Sequence, residues 1–207
     1  LQTPQIARIL WLNEVYTKAL EVPGNFIEFG SQWGASLNSF VMFKMIYEPW
    51  NIGREVIGFS TFDKGFVSVE KKDGDFVKKG DYAVKKDWEE ILNEIIEINT
   101  FLSPIGSKNN YKIIEGDVSV TFKKWLLDNP HAIISHAHFD MDVYKPTKDA
   151  LELCIERMPK GAILIFDELN HTGHPGETIA LNEVLGIKNL ALRKSTFQPH
   201  AAYVIIE

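Results

Sequence analysis

The segment HAHFDMDVY, residues 136–144, carries an ionisable side chain at every second position. Alternate residues of a strand point to the same face of a sheet, so these side chains share one face. A later apolar run, GAILIF, ends in the adjacent carboxylates Asp167 and Glu168. Carboxylates gathered at neighbouring strand ends repel one another unless they share a cation, and all-oxygen ligation favours a hard ion such as Mg²⁺. The sequence therefore predicts a metal site. The alternating residues are His136, His138, Asp140 and Asp142.

Strand-like and helix-like segments alternate along the chain. This pattern predicts a parallel sheet with helices on both faces. The last two runs, NLALRKST and AAYVIIE, are joined too closely for a helix, so we expect them to pair antiparallel at one edge. The predicted fold is therefore α/β, with a mostly parallel seven-stranded sheet and a C-terminal antiparallel hairpin. The other predicted strands are NFIEF, EVIGFS, YKIIEG, AIISHAHF and GAILIFD.

The length predicts one domain over residues 1–207. Within it, residues 1–24 form an N-terminal helical segment, and residues 61–110 form an insertion of a lid-like loop followed by a helix. The loop, residues 61–86, is rich in glycine, lysine and acids. It is either a solvated surface loop or a lid that contacts the acceptor, since long ordered loops in compact domains tend to be functional.

Composition excludes several classes of protein. The net charge of -6 argues against a nucleic-acid binder, which needs a basic surface to neutralise phosphates. A single cysteine, Cys154, cannot form an intrachain disulfide and suits a reducing compartment. No apolar run is long enough to span a bilayer, and the N-terminal segment differs from a signal peptide. We therefore expect a cytoplasmic protein with no membrane partner, whose N-terminal helix packs on its own sheet or on a second subunit of a homo-oligomer.

The first predicted strand ends in a glycine-containing turn that leads directly into a helix. In open parallel sheets ligands bind at the carboxyl ends of the strands. The turn reads Glu28-x-Gly30-x-x-x-Gly34, where glycine permits a tight turn and the helix N-terminus offers free N–H groups to an anion. Its spacing differs from the Gly-x-Gly-x-x-Gly of dinucleotide-binding proteins, which disfavours a nicotinamide dehydrogenase. After the third strand, Asp117 can accept hydrogen bonds from an amino group or a hydroxyl.

Five segments together resemble the class I S-adenosylmethionine (SAM)-dependent methyltransferases, and more specifically the macrocin O-methyltransferase family of sugar methyltransferases. They occur in the family's order between residues 22 and 170. The resemblance implies a Rossmann-like methyltransferase fold that uses SAM. The segments are VPGNFIEFGSQWGAS, VIGFSTFDKGF, IIEGDVSVTF, HFDMDVYKPTKDALE and PKGAILIFDELN, and DMDVYKPT is the most specific part.

The resemblance also assigns the residues that bind the cofactor. Glu28, Gly30 and Gly34 are expected at its methionine end, and Asp117 near its adenine. In the second strand the family usually has aspartate where this chain has Ser60 in GFSTF. Serine can bond one ribose hydroxyl but cannot chelate the diol as a charged acceptor. The expected cofactor-binding set is Glu28, Gly30, Ser31, Trp33, Gly34, Ser60 and Asp117.

By the same resemblance, Asp140, Asp167 and Glu168 bind a divalent metal, Mg²⁺ or another hard cation. A methyl transfer to an alcohol also needs a base, and Asp140 is the first candidate, as ligand or base. Three histidines are rival bases, because imidazole titrates near neutral pH, but each of them can also be a core or surface residue without a catalytic role. Asp142 is expected to be structural, bonding the backbone before Tyr144. The rival bases are His138, His171 and His174.

The sequence thus predicts a metal-dependent O-methyltransferase acting on a sugar hydroxyl, either of a nucleotide-activated deoxysugar or of a glycan. One alternative keeps the cofactor and metal but uses a catechol-like phenol, whose more acidic hydroxyl needs less activation. A second alternative is a non-catalytic SAM-binding module, because function does not follow from fold and Ser60 departs from the family pattern.

Overall fold

A seven-stranded sheet organises the computed structural model, which describes residues 2–102 and 110–207. The strands are β1 (Asn25–Phe29), β2 (Val56–Ser60), β3 (Tyr111–Glu115), β4 (Ile134–Phe139), β5 (Ile163–Phe166), β6 (Arg193–Lys194) and β7 (Ala202–Ile205). Their order is β3-β2-β1-β4-β5-β7-β6. The first five strands are parallel, and β7 runs antiparallel to both β5 and β6. The predicted Rossmann-like sheet with an antiparallel C-terminal edge is confirmed, although β6 is shorter than the run NLALRKST.

Six helices cover the two faces of the sheet within the described residues. They are α1 (Thr3–Thr17), α2 (Ala35–Tyr47), α3 (Trp88–Phe101), α4 (Val118–Asp128), α5 (Tyr144–Ile155) and α6 (Gly176–Val184). Helices α1, α2 and α3 contribute to one apolar core, and α4, α5 and α6 to the other. Among the helices of residues 2–102 and 110–207, none combines the length and the apolar content needed to cross a membrane.

Side chains of β1 alternate between these two cores, as the strand period requires. Phe26 packs on Phe40 of α2, with ring centroids 4.0 Å apart. Its neighbour Ile27 and the next odd position, Phe29, belong to the opposite core. Burial on both faces explains why the strand is apolar apart from Asn25 and Glu28. Glu28 therefore lies on the face covered by α1 and α2.

Helix α6 was not predicted from the sequence. The segment NHTGHPGE indicates a loop, yet the helix begins at Gly176, directly after Pro175. Proline is compatible with a helix start because its missing N–H would have no partner inside the helix there. Ala180 and Leu181 are buried in the core shared with α4 and α5. The helical spacing of these apolar residues was the feature of the sequence from which α6 could have been predicted.

The segment 61–86 is held against the body of the protein. It contains two short 3₁₀ helices, Phe62–Lys64 and Lys71–Asp73. Asp73 is fully buried, and its Oδ1 accepts the backbone N–H of Tyr144 at 2.5 Å. The inserted segment, through Asp73, thus supplies the acceptor for the N–H group at the start of α5. Residues 103–109, near the end of the predicted insertion 61–110, lie outside the described residues.

Candidate active site

A pocket of about 730 Å³ opens where the carboxyl ends of β1 and β4 meet. The chain leaves these two neighbouring strands toward opposite sides of the sheet, which is the position where ligands bind in open α/β sheets. Helix α1 contributes Arg8 and Leu12 to the wall, and the inserted segment contributes residues 65–68 and Tyr82. The predicted site residues that line the pocket are Gly30, Ser31, Trp33, Ser60, Asp117 and Asp140.

The turn after β1 depends on two glycines. Gly30 has φ +97° and Gly34 has φ +79°, a region that residues with a side chain rarely adopt. A Cβ atom on Gly30 would lie 1.8 Å from the carbonyl oxygen of Asp140. On Gly34 it would lie 2.2 Å from a methyl carbon of Leu92. The expected tight turn is confirmed, and at Gly30 the group that approaches the backbone so closely is the end of β4.

Replacing Gly30 with alanine is expected to destabilise the protein by ~3 kcal/mol or more, because backbone strain and a collision with the end of β4 add together. Gly80→Ala is the matched control, since Gly80 has φ +89° but nothing within 4 Å of the added carbon. Gly80→Ala should lower the free energy of unfolding only by the backbone strain, about 1 kcal/mol. Urea unfolding measures both. Equal losses of stability would contradict the close approach of Gly30 to Asp140.

Ser60 ties the turn after β1 to the end of β2. Its Oγ accepts the backbone N–H of Gln32 at 3.2 Å and that of Phe62 at 3.3 Å. A hydroxyl that accepts two hydrogen bonds still has its own proton to donate. Asp117 caps α4, where its Oδ1 accepts the N–H of Ser119 at 2.9 Å. Both residues thus combine a structural role with a position in the pocket wall.

Glu28 and His138 form a buried pair beside the pocket. They are opposite one another in the β1–β4 register, with Glu28 Oε1 3.1 Å from His138 Nδ1, and both are fully buried. Burial disfavours a charged Glu28, but its hydrogen bond with His138 holds its pKa below the usual value. An ionised Glu28 can only accept, so the N–H of this hydrogen bond belongs to His138 Nδ1. Among the described residues, His138 Nε2 has no hydrogen-bond partner.

Three of the candidate groups converge at the ends of β4 and β5. Ligand atoms of His138, Asp140 and Asp167 lie within 4.8 Å of one another. Glu168 lies outside this group. We call the surrounding carboxyl groups, which interact electrostatically with one another, the acidic cluster. The acidic cluster consists of Asp140, Asp142, Asp167, Glu168 and Glu177.

Arg8 of α1 reaches into the acidic cluster. Its Nη2 donates to Asp140 Oδ2 at 2.9 Å, and its Nη1 donates to Asp167 Oδ1. Burial opposes the charge on the guanidinium, but Asp167 and Asp140 raise the pKa of Arg8 above its usual value. Sequence reasoning did not identify Arg8, since it lies 132 residues from Asp140 and 159 residues from Asp167. A single arginine in an amphipathic helix gives no local signal of such a role.

One guanidinium does not neutralise the acidic cluster. Burial and repulsion by Asp167 raise the pKa of Asp140 to about 8, although Arg8 and His138 act in the opposite direction. Burial, Glu168 and Asp167 raise the pKa of Asp142 to about 7. Carboxyl groups so close together resist joint ionisation. Asp140 and Asp142 therefore ionise together only with difficulty unless a further cation joins them.

The other histidines considered as bases do not line the pocket in the described part of the chain. His171 Nδ1 accepts the backbone N–H of Gly173 and of His174, both at 3.1 Å, which stabilises the turn before α6. His174 lies 3.9 Å from Asp142 Oδ2. The fully buried His138 also stays outside the lining. Asp140 is thus the predicted base whose side chain faces the pocket.

Comparison with solved structures gives close matches to O-methyltransferases. The calicheamicin methyltransferase CalS11 is 34% identical, with a TM-score of 0.91 over 97% of this chain and 79% of that chain. An apo structure of CalS11, described as a TDP-rhamnose 3'-O-methyltransferase, is 33% identical, with a TM-score of 0.82 over the same shares. The O-methyltransferase NovP shares the fold at 17% identity, with a TM-score of 0.71 over 97% of this chain and 80% of NovP. No protein-family model and no curated protein matches the chain.

The match to CalS11 extends over 97% of this chain at 34% identity. The fold has the strand order and antiparallel edge expected of a methyltransferase. Both findings agree with the resemblance seen in the sequence motifs. The chain therefore belongs to the class I SAM-dependent methyltransferases, as an O-methyltransferase of the macrocin-type sugar O-methyltransferase family.

Proposed function

We propose that this O-methyltransferase transfers the methyl group of SAM to a hydroxyl of a sugar, either on a nucleotide-activated deoxysugar or on a glycan, with the help of a divalent cation. The observation that carries the proposal is Asp140, a carboxylate in the wall of the same pocket that contains the glycine turn. The sugar class is supported by the similarity to CalS11, which acts on TDP-rhamnose according to its description.

The cofactor is assigned to the side of the pocket formed by the turn after β1 and the ends of β2 and β3. Glu28 and Gly34 act indirectly, since Glu28 holds His138 and Gly34 shapes the turn against Leu92. Ser60 has a hydroxyl proton to donate to a ribose oxygen, in place of the carboxylate usual in the family. The residues assigned to direct contact with SAM are Gly30, Ser31, Trp33, Ser60 and Asp117.

Asp140 is assigned as the base. In the reaction the acceptor oxygen forms a bond to the methyl carbon, the bond from that carbon to the sulfonium sulfur breaks, and the hydroxyl proton must leave. A carboxylate oxygen of Asp140 receives this proton, which requires the ionised form that a pH above its raised pKa of about 8, or a bound cation, would supply. The backbone N–H of Asp140 donates to Phe29 O at 2.9 Å, which fixes the start of this segment against β1. Such fixed placement of a base is worth about 10²- to 10⁴-fold in rate.

The residues present fit a divalent cation. His138, Asp140 and Asp167 converge within 4.8 Å, and His138 Nε2 is a buried nitrogen without a hydrogen-bond partner in the described residues. The third ligand beside Asp140 and Asp167 is either His138, on geometry, or Glu168, on the family resemblance. A set of three carboxylates favours Mg²⁺, whereas an imidazole shifts the preference toward Mn²⁺. A bound divalent ion would lower the pKa of an acceptor hydroxyl and fix its position.

Arg8 and a divalent cation compete for the same carboxylates. Replacing Arg8 with alanine is therefore expected to tighten Mn²⁺ binding about tenfold, or ~1.4 kcal/mol. Mn²⁺ binding is measured by electron paramagnetic resonance. Arg157→Ala is the control, because Arg157 is a second arginine whose hydrogen bond goes to the backbone of Pro130, and it should leave the affinity unchanged. Weaker Mn²⁺ binding by Arg8→Ala would show that Arg8 supports the site instead of competing for it.

Transfer of a labelled methyl group to a panel of acceptors tests the substrate class. The panel contains TDP-rhamnose, other nucleotide-activated sugars, free deoxysugars, glycans and a catechol, each supplied with SAM and Mg²⁺. We expect labelled product from a nucleotide-activated deoxysugar or a glycan, and little from the catechol. Methylation of the catechol without methylation of any sugar would contradict the proposal and support the phenol alternative.

A further inference from the structure

Glu177, the second residue of α6, links the two strand ends that carry the acidic cluster. Its Oε1 accepts the backbone N–H groups of Met141, at 2.9 Å, and Asp142, at 3.2 Å. Its Oε2 accepts the N–H of Glu168 at 3.3 Å. The side chain is fully buried. One carboxyl group thus holds the segments that leave β4 and β5 at a fixed distance from each other.

These bonds fall directly after the two proposed metal ligands. Met141 follows Asp140, and Glu168 follows Asp167, so Glu177 acts on the residue directly after each ligand. The ligands' own N–H groups donate to the neighbouring strands, that of Asp140 to Phe29 O at 2.9 Å and that of Asp167 to Phe139 O at 3.1 Å, and Glu177 fixes the next residue of each segment. Three backbone N–H groups, two of them buried, would lose this acceptor if Glu177 were removed.

Glu177 combines complete burial with hydrogen bonds to backbone that follows two different strands. Both of its carboxyl oxygens are used, Oε1 toward the segment after β4 and Oε2 toward the segment after β5. The side chain therefore sets the distance between the two segments instead of supporting one of them alone. This geometry suits a residue that holds ligands on β4 and β5 at a fixed spacing.

We propose that Glu177 is a positioning residue that sets the spacing of Asp140 and Asp167 for divalent cation binding. This inference rests on the proposed function, because it assumes that the acidic cluster binds a cation. Residues that orient metal ligands typically contribute 10- to 100-fold to metal affinity. Glu177 does not touch the acceptor or SAM in this role; it acts through the backbone of Met141, Asp142 and Glu168.

Mn²⁺ binding and turnover of Glu177→Gln test the inference. Glutamine keeps the shape, but its amide group cannot accept all three N–H bonds at once. We expect Mn²⁺ affinity to fall about 10- to 100-fold. SAM affinity should stay within about twofold, and saturating Mn²⁺ should restore most of kcat. A purely structural role would not separate metal affinity from SAM affinity in this way. Glu183→Gln, on the exposed side of the same helix, is the matched control.

The outcomes separate this inference from the proposed function. If the wild type binds Mn²⁺ and folded Glu177→Gln binds it equally well, Glu177 is not a positioning residue, and the metal proposal stands. If the wild type binds no Mn²⁺, both are overturned. If Glu177→Gln does not fold, Mn²⁺ binding is measured on Glu177→Asp instead. This variant keeps the carboxyl group but shortens the side chain by one methylene. It should also weaken Mn²⁺ binding at least about tenfold.

Discussion

Asp140→Asn is expected to lower kcat about 1,000-fold while changing the dissociation constant of SAM by no more than about threefold. Asparagine has nearly the same shape as aspartate but cannot take a proton from the acceptor hydroxyl. It also brings one charge fewer to the cation. The turn after β1 lies against the backbone carbonyl of Asp140, which the substitution leaves in place, and keeps its hydrogen bond to Ser60. Single-turnover methyl transfer and calorimetric titration with SAM measure the two quantities.

The control for this prediction is Asp149→Asn. Asp149 lies on α5 and pairs with Lys145 at 2.6 Å on the protein surface, so its loss should change neither turnover nor SAM binding. Turnover by Asp140→Asn within about tenfold of the wild type would remove Asp140 from the role of base, because a general base contributes more than this. His138 would then be the next residue to test.

Asp167→Asn is expected to weaken Mn²⁺ binding about 100-fold, ~2.7 kcal/mol. Asp167 is one of two ligands on which the geometry and the family resemblance agree. The substitution removes one of the two carboxylates that hold Arg8, so the guanidinium remains paired with Asp140 and competes there. Turnover at low metal should fall accordingly and recover in part at high Mn²⁺. An unchanged Mn²⁺ affinity would contradict the metal assignment at β5.

Parallel substitutions identify the third ligand. If Glu168 completes the site, Glu168→Gln lowers metal affinity and His138→Gln has a small effect, with Mg²⁺ as the preferred ion. If His138 completes it, His138→Gln lowers metal affinity and Glu168→Gln has the small effect. Mn²⁺ is then preferred, because imidazole is a softer ligand. The pair of Glu28 and His138 would then match the usual arrangement in which a carboxylate orients a metal-binding histidine.

Much of the fold follows from sequence because its signals are local. Each parallel strand is a short apolar run, and each of the first four is followed by a helical pattern, so most of the order of elements and the antiparallel end were predictable. The alternation HAHFD placed His138 and Asp140 on one side of the sheet, and both converge with Asp167. Helix α6 was missed because its first residues, Pro175 and Gly176, are typical of turns.

The parts of the site that sequence did not predict depend on contacts between distant residues. Arg8 meets Asp140 only because α1 crosses the carboxyl ends of the strands. Asp73 bonds Tyr144 across 71 residues. Glu177 bonds to backbone N–H groups. Nearly every residue type has such a group, so the side chains of its partners do not reveal the contact. Periodicity and motif spacing describe neighbours along the chain, whereas these contacts are set by how the elements pack.

The most direct test of the account compares SAM binding and methyl transfer in the wild-type protein, first in EDTA and then after Mg²⁺ is restored. If Asp140, Asp167 and a third ligand hold a cation that serves the acceptor, chelation abolishes transfer, Mg²⁺ restores it, and the SAM dissociation constant stays the same throughout. Full methyl transfer in EDTA would contradict the metal-dependent mechanism and would leave Arg8 as the cation on which the acidic cluster relies.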